Sequence, residues 1–536
     1  MPLASEPIEP ALHRDLRPLL DLGGRNNQPR LAAAAGRHKV LAAHAGRLLR
    51  RLSPAWTLVP LAAAVRLAVG FLLPNVIAAD EVYQYLGQAR RLVFGTGVVP
   101  WEFRVGLRNW LIPLLLAGPM RLAQWIDPGP AVGVGLIRAL LSVTSLVVVV
   151  CAIRWGQRFH GLRGAWICGA TAALWPDLWV MAPHPLEDTL SAYALIAALG
   201  LIEPWPATGG LRRVAQAGAL LGLTFVLRNP LAPAVAVAGI GMCRADPRRW
   251  LVGLAAGATP VALAGLLDWV TWGHPFRSFW LNLLLNGLGG VGSAFGTLGP
   301  GFYPAALFSD WLWATPLILA LAVLGARSLP LTALTALAVL ATYWPVAHKE
   351  LRFLFPMIAL LVPLVGLGLA QIVTSEWSGR KRRLPVIAAV SVLASGLLTS
   401  PVLRIELSNL VAGARASIAL ARLGPEAVGS SLLRIPGDLY FAPHTVVGAV
   451  TADADLAAFD ALILAADAPR PPARFRLIGC YAPPFRLLPP DRDPALCAWS
   501  AASREPEIPV PPLERLLKFP AMARPFTLEG WRAAPE

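Results

Sequence analysis

Long apolar runs separated by short polar breaks dominate the chain between residues 54 and 401. A helix needs about 20 apolar residues to cross a bilayer. Eleven runs approach that length: 54–74, 131–153, 164–182, 187–202, 214–229, 231–243, 251–271, 311–326, 329–346, 352–374 and 385–401. The stretch 109–126 carries Pro113, Gly118, Pro119 and Arg121, so it reads either as a span or as a helix lying in the interface. The expected fold class is an all-α polytopic membrane protein with about 11–12 transmembrane helices in residues 54–401. Residues 402–536 have a different texture. The run SNLVAGARASIALARL is helical in spacing, and ALILAA and RFRLIGC read as strands between prolines, which predicts a small α/β domain outside the membrane. Residues 1–53 are polar and basic, with no small-residue cleavage pattern behind them, and read as a cytosolic arm.

Composition agrees with the pattern. Of 536 residues 56% are hydrophobic and 15% charged, and the mean hydropathy is +0.57. A soluble protein carries about 25% charged residues. The net charge of +16 would suit nucleic acid, but its placement argues against that. The basic clusters are the arm, 154–163, Arg212–Arg213, 244–249, Arg327 and 379–383. With 109–126 not crossing fully, all of them fall on the side of the N-terminus, as cytoplasmic loops do. The charge is then an orientation signal, and the odd number of spans places the tail outside. Cys151, Cys168 and Cys243 lie in apolar runs and read as inert core residues. Cys480 and Cys497 lie in the tail and can pair if it faces an oxidising compartment.

The opposite side collects the unusual polar groups. Asp80 and Glu81 stand side by side after the first span. Such a pair is costly to desolvate without partners, and one carboxylate could act as a general base while the other orients. An interfacial helix cap is the alternative. Tyr83, Gln84, Trp101, Glu102 and Trp110 surround the pair in sequence, and aromatics there suit either a sugar face or the interfacial belt. His348, Lys349 and Arg352 sit at a span mouth on the same side, against the charge trend. On a helix His348 and Arg352 would share a face, and three donors there would suit a phosphate. A snorkelling anchor paired by Glu350 is the bland reading. Arg228, Arg108, His184, Glu187, Asp268 and Asn282 add polar groups along this edge. One acidic pair is too small a ligand set for a convincing metal site, although 183–188 could add to it. No zinc-protease, P-loop or nucleophile-elbow motif occurs in a usable context.

These segments resemble glycosyltransferase family 22, the lipid-linked mannosyltransferases of glycosylphosphatidylinositol and N-glycan assembly. The resemblance rests on Asp80-Glu81-Val82-Tyr83-Gln84 with Trp101-Glu102, and on Leu107-Arg108-Asn109-Trp110-Leu111-Ile112-Pro113. It continues through Asp268, Gly273, Phe279, Asn282, Ser293-Ala294-Phe295-Gly296 and Phe302-Tyr303 to a complete His348-Lys349-Glu350-Leu351-Arg352-Phe353. Phe295 stands where the family usually has Tyr, Asn109 where it has Ser, and Asn229 separates Arg228 from Pro230.

The resemblance implies a C-type glycosyltransferase fold with its site on the non-cytosolic face. It also implies a polyprenyl-phosphate sugar donor, usually mannose, transferred with inversion to a glycan or glycolipid acceptor. Asp80 or Glu81 would be the base. His348, Lys349 and Arg352 would hold the phosphate, with Arg228 and Arg108 in reserve. Tyr83, Gln84, Trp101, Glu102, Trp110, His184, Glu187, Asp268 and Asn282 would line the sugar and acceptor side. Neither a cofactor nor a divalent metal is expected. The Ala-, Leu-, Arg- and Pro-rich composition suggests a bacterial inner membrane with the site and tail periplasmic. The rivals are a same-fold enzyme using another sugar on a cell-envelope glycan, and a lipid or sugar transporter.

Overall fold

The computed structural model describes residues 53–203, 210–375, 379–431, 435–485, 494–501 and 510, with only the backbone of 379–383. The basic arm, 1–52, lies outside the described residues. Two compact units are distinguished. The first is Met1–Thr57, of which 53–57 are described and begin the first helix. The second, Leu58–Glu536, contains everything below.

Every expected span coincides with helix. In order they are α1 (Pro54–Leu72), α2 (Gly87–Phe94), α3 (Trp101–Val105), α4 (Leu111–Ala123), α5 (Pro130–Thr144), α6 (Leu146–Leu174) and α7 (Pro176–Val180). There follow α8 (Glu187–Ile202), α9 (Leu211–Leu227), α10 (Ala232–Cys243), α11 (Pro247–Trp272), α12 (Arg277–Asn282), α13 (Phe302–Trp311) and α14 (Thr315–Ala326). The last are α15 (Pro330–Tyr343), α16 (Phe355–Thr374), α17 (Gly379–Leu398), α18 (Pro401–Ser408) and α19 (Val411–Ala421).

Among the described residues five helical stretches are long and apolar enough to cross a membrane, or six if the bent pair Leu384–Leu398 and Pro401–Ala421 is one span. That is fewer than the 11–12 expected, for two reasons. Several helices, such as α4, α10 and α15, are apolar but short. The stretch Pro130–Leu174, by length a single one, breaks at His160 (φ −132°) and Gly161 (φ +60°, ψ −155°). Its halves fold back on each other: a Cβ at Gly169 would lie 2.5 Å from Ile153 Cγ1. The basic residues 154–163 thus form the hairpin end between two spans, as expected.

Helix packing follows small residues. Gly218 and Gly222 of α9 lie against Gly253 and Gly257 of α11, so two small-xxx-small stripes let these backbones approach. At the centre α16, apolar on all sides, is almost wholly buried against α6, α8, α14 and α15. On the rim α11 exposes Leu251, Leu254, Trp269 and Val270, as a lipid-facing helix does.

The two ends of α8 mark two faces. Glu203, just past its C-terminus, accepts from Leu331 N (2.9 Å), Thr332 N (2.9 Å) and Thr332 Oγ1 (2.6 Å) at the start of α15. Arg212 and Arg213 at the start of α9, the basic residues 244–249 between α10 and α11, and Arg327 between α14 and α15 belong to this end. Glu187 at the other end meets Arg228, which follows α9 and bonds Tyr343, the last residue of α15.

The tail is the expected α/β domain. Beside α19 lies a sheet of β1 (Ala427–Ser430), β2 (Val446–Ala449), β3 (Ala461–Ala465), β4 (Phe475–Tyr481) and β5 (Leu496–Ala501) in the order β2-β1-β3-β5-β4. β1 runs parallel to β2 and β3, and β5 antiparallel to β3 and β4. Cys480 and Cys497 are cross-strand partners and form a disulfide, while Cys151, Cys168 and Cys243 are free and buried. The domain is clamped to the first loop, residues 75–110 between α1 and α4. Asn409 Nδ2 donates to Val76 O (2.6 Å), and buried Arg90 pairs with Asp438 (2.8 Å) while also reaching the carbonyls of Phe441 and Ala442.

Candidate active site

The site begins with a departure from helical regularity. Residues Glu81–Leu86 form a π-helical turn in which Gly87 N–H donates to Val82 O. A π-turn appears most often at functional positions, because it adds a residue and re-aims its neighbours. Gly87 permits it, since a Cβ there would lie 2.6 Å from Val82 O. Gly87→Ala should therefore force the turn towards α geometry and lower activity about tenfold or more with a stability loss of roughly 1–3 kcal/mol. Turnover and melting temperature of the purified variant check this.

The turn separates the two acids. Glu81 is fully buried, its Oε2 2.6 Å from Nδ1 of equally buried His184 and its Oε1 accepting from Ile77 N (3.1 Å). Asp80 keeps 27% of its side chain exposed. Its Oδ2 accepts from Arg352 (2.7 Å) and its Oδ1 from Gln84 Nε2 (3.0 Å). The same Gln84 nitrogen reaches Glu102 Oε1 (2.8 Å), so Gln84 ties the first loop's short helix to the acid. Burial pushes the Asp80 carboxyl up, but the guanidiniums of Arg352, Arg108 and Arg228 outweigh it and hold it below the usual aspartate value. Burial dominates at Glu102, whose carboxyl is pushed up.

The signature 348–353 arrives in another shape than expected. Glu350 is extended (φ −133°, ψ 145°) and the 3₁₀ turn Leu351–Leu354 begins only after it, so His348 and Arg352 share no helical face. They meet through Glu350 instead. His348 Nε2 is 3.1 Å from its Oε1, and Arg352 donates to both oxygens (2.6 and 2.9 Å). Arg352 thus carries both readings, paired by Glu350 and facing Asp80. Lys349 turns the other way. It is buried, donates to Val346 O and lies 5.8 Å from the Tyr303 ring centroid.

Three guanidiniums from distant parts of the chain converge beside Asp80. Glu187 holds Arg108 (2.8 Å) and Arg228 (3.0 Å). Asp188, buried to 1% exposure, lies 3.2 Å from Arg228 and 4.0 Å from Arg352. Arg228 also donates to Tyr343 Oη (2.9 Å) and stacks over Phe353 at 4.8 Å. Arg108 is aimed from behind: Trp272 Nε1 donates to its carbonyl (3.1 Å), and Trp272 packs with Trp110 and Phe103. Trp110 is thus a wall that positions Arg108.

Other expected members sit apart. Tyr83 faces Gly437 of the C-terminal domain, where a Cβ would come 3.3 Å from its ring. Trp101 starts α3, half-buried. Asp268 is buried and accepts from Ser278 N, Ser278 Oγ and Asn109 Nδ2, anchoring α12 to α11. Asn282 closes α12, half-buried. Sequence reasoning passed over Asp188 and Tyr343. Asp188 had a signal, since with Glu187 it repeats the adjacent acidic pair of Asp80 and Glu81 on the same face.

A family model described as the Alg9-like mannosyltransferase family matches residues 57–405, well over half of the 536 residues. The chain belongs to that family. Its architecture is a helical membrane bundle with ionisable groups gathered at one end and a small appended α/β domain, and the family is one of mannosyltransferases. GPI mannosyltransferase 3 of Yarrowia lipolytica is 25% identical over 373 residues, 64% of this chain and 67% of that protein. GPI alpha-1,2-mannosyltransferase 3 of Danio rerio is 25% identical over 331 residues, 58% of each. The chain thus spans about three fifths to two thirds of these relatives' length. The crystal structure of ArnT from Cupriavidus metallidurans bound to undecaprenyl phosphate aligns with a TM-score of 0.49 at 15% identity, over 84% of this chain and 99% of that one.

Proposed function

We propose that this membrane glycosyltransferase moves mannose, with inversion, from a polyprenyl-phosphate carrier to a glycan or glycolipid acceptor on the periplasmic face of a bacterial inner membrane. The observation that carries the reading is the pairing of a partly exposed Asp80 with Arg352, within reach of two further guanidiniums. Asp80 takes the proton of the acceptor hydroxyl as its oxygen attacks the anomeric carbon. The bond from that carbon to the phosphate oxygen breaks, and the electron pair leaves with the phosphate. Arg352, Arg228 and Arg108 stabilise that developing charge; such prepositioned donors are worth about 3–4 kcal/mol each. Glu81, sealed against His184, holds the turn that presents Asp80.

Mannose is supported by the family and by the named relatives. The periplasmic orientation is supported by the basic loops at the far end of the bundle and by the Cys480–Cys497 disulfide, which suits an oxidising compartment. Clustering of the ionisable groups at one face favours an enzyme over a transporter, which would need them mid-span. The site works without a metal, because Asp80, Glu187 and Asp188 already have guanidinium counterions that a dication would have to displace.

Purified chain given labelled polyprenyl-phosphate mannose and bacterial membrane acceptors should transfer the label, at a rate that excess EDTA leaves within about twofold. Transfer of another sugar from the same carrier but not mannose would overturn the sugar, and loss of activity in EDTA restored by a divalent cation would overturn the metal-free mechanism.

A further inference from the structure

We propose that Glu187 and Asp188 are a built-in counterion to the arginine clamp, which weakens its hold on the phosphate so that the spent polyprenyl phosphate can leave. The proposal rests on the phosphate-binding role given to that clamp above.

The two acids are adjacent at the first turn of α8, and between them they contact all three guanidiniums. Those guanidiniums come from the first loop, the residue after α9 and the turn before α16, so nothing in the local chain brings them together. Like charges gathered at partly buried positions repel, and an anion shared among them removes that cost. Glu187 pairs with both Arg108 and Arg228. Asp188 is 1% exposed and lies between Arg228 and Arg352. Among the described residues neither of its oxygens accepts a hydrogen bond from a backbone amide or hydroxyl; the guanidiniums match its charge. So deeply placed, Asp188 touches neither acceptor nor phosphate and acts only through the arginines. It is a positioning residue.

Its chemical consequence concerns release. Sugar transfer turns a phosphodiester into a phosphate monoester, which gains negative charge just as it must depart. Three uncompensated guanidiniums would hold that product strongly, and product release is a common limit on turnover. Glu187, bonded to Arg108 and Arg228, and Asp188, a bare counter-charge 3.2 Å from Arg228 and 4.0 Å from Arg352, offset the positive field and so lower the affinity for any incoming anion. A purely structural Asp188 makes the opposite prediction, since loosening the arginines weakens phosphate binding.

The test is direct binding of undecaprenyl phosphate to the detergent-solubilised full chain, followed by donor kinetics. Asp188→Asn should bind undecaprenyl phosphate about tenfold more tightly than the native chain. In turnover its kcat and its donor KM should both fall, with a burst in the first cycle that marks slow release. Glu187→Gln, at the more exposed position, should shift binding in the same direction and decides the matter if melting shows Asp188→Asn unfolded. Unchanged or weaker binding in the folded variants, or a raised donor KM, overturns the proposal. No measurable binding of undecaprenyl phosphate by the native chain would overturn the clamp itself and this proposal with it.

Discussion

Asp80→Asn should lower sugar transfer by about three orders of magnitude while leaving carrier binding and folding near native, because a general base contributes roughly 10²–10⁴ to the rate. Asparagine keeps one acceptor oxygen for Arg352 and turns its amide towards Gln84, so the side chain keeps its shape and its main partner while the proton acceptor is lost. Glu81→Gln makes the contrast. Its side chain is sealed against His184, and disturbing a buried hydrogen bond of this kind costs about 1–3 kcal/mol, so the melting temperature should fall with or before activity. A folded, inactive Glu81→Gln beside an active Asp80→Asn would reverse the assignment. The pH profile gives a second check. A carboxyl held below its ordinary value is ionised, and competent as a base, at every pH above it. The acidic limb of kcat/KM should therefore lie below the usual aspartate pKa of about 3.9, with no loss from Asp80 between pH 5 and 8.

Arg352→Gln should raise the donor KM and lower kcat/KM for the carrier by roughly 10²–10³, the usual cost of removing one partner from a buried charge pair. Arg352 touches Asp80 and both oxygens of Glu350 at once, so its loss unpairs the base as well as the phosphate. Of the groups that lower the Asp80 carboxyl, Arg352 is the strongest, and burial opposes it. Without it burial gains ground, and the acidic limb should move up towards neutral pH. A variant with weaker donor use but an unmoved limb would separate the two roles. Lys349→Ala should affect the donor less, since its ammonium faces Val346 O and the Tyr303 ring.

Much of the fold was legible in the sequence because a bilayer demands long apolar runs and cytoplasmic loops attract Arg. Those two rules placed the helices, the basic face and the polar face opposite it. The small C-terminal domain was legible from its change in texture, and Cys480 and Cys497 from their placement in it. The number of spans was less so. Helix length depends on where the chain turns, and His160–Gly161 shows that an apolar stretch can be one segment by composition and two by geometry.

The candidate site was legible as a list and illegible as an arrangement. Asp80 and Glu81 are equivalent by sequence, and spacing alone could not rank them. Tertiary structure divides them, because the π-turn at Glu81–Leu86 leaves one acid against buried His184, whose position is set some hundred residues later, and the other against Arg352, 272 residues away. The spacing of 348–353 suggested a helical face, whereas the chain is extended there and its charges meet through Glu350. Asp188 entered only with the fold, since its meaning lies in two guanidiniums that follow α9 and precede α16. What the sequence determined by itself was which residues could not face lipid and that they gather at one end of the bundle, because burial and charge are local costs that each residue carries with it. Which acid stays partly exposed beside Arg352, which is sealed and which arginines share an anion was decided by tertiary structure, because ion pairing depends on distances between elements that sequence neighbours do not set.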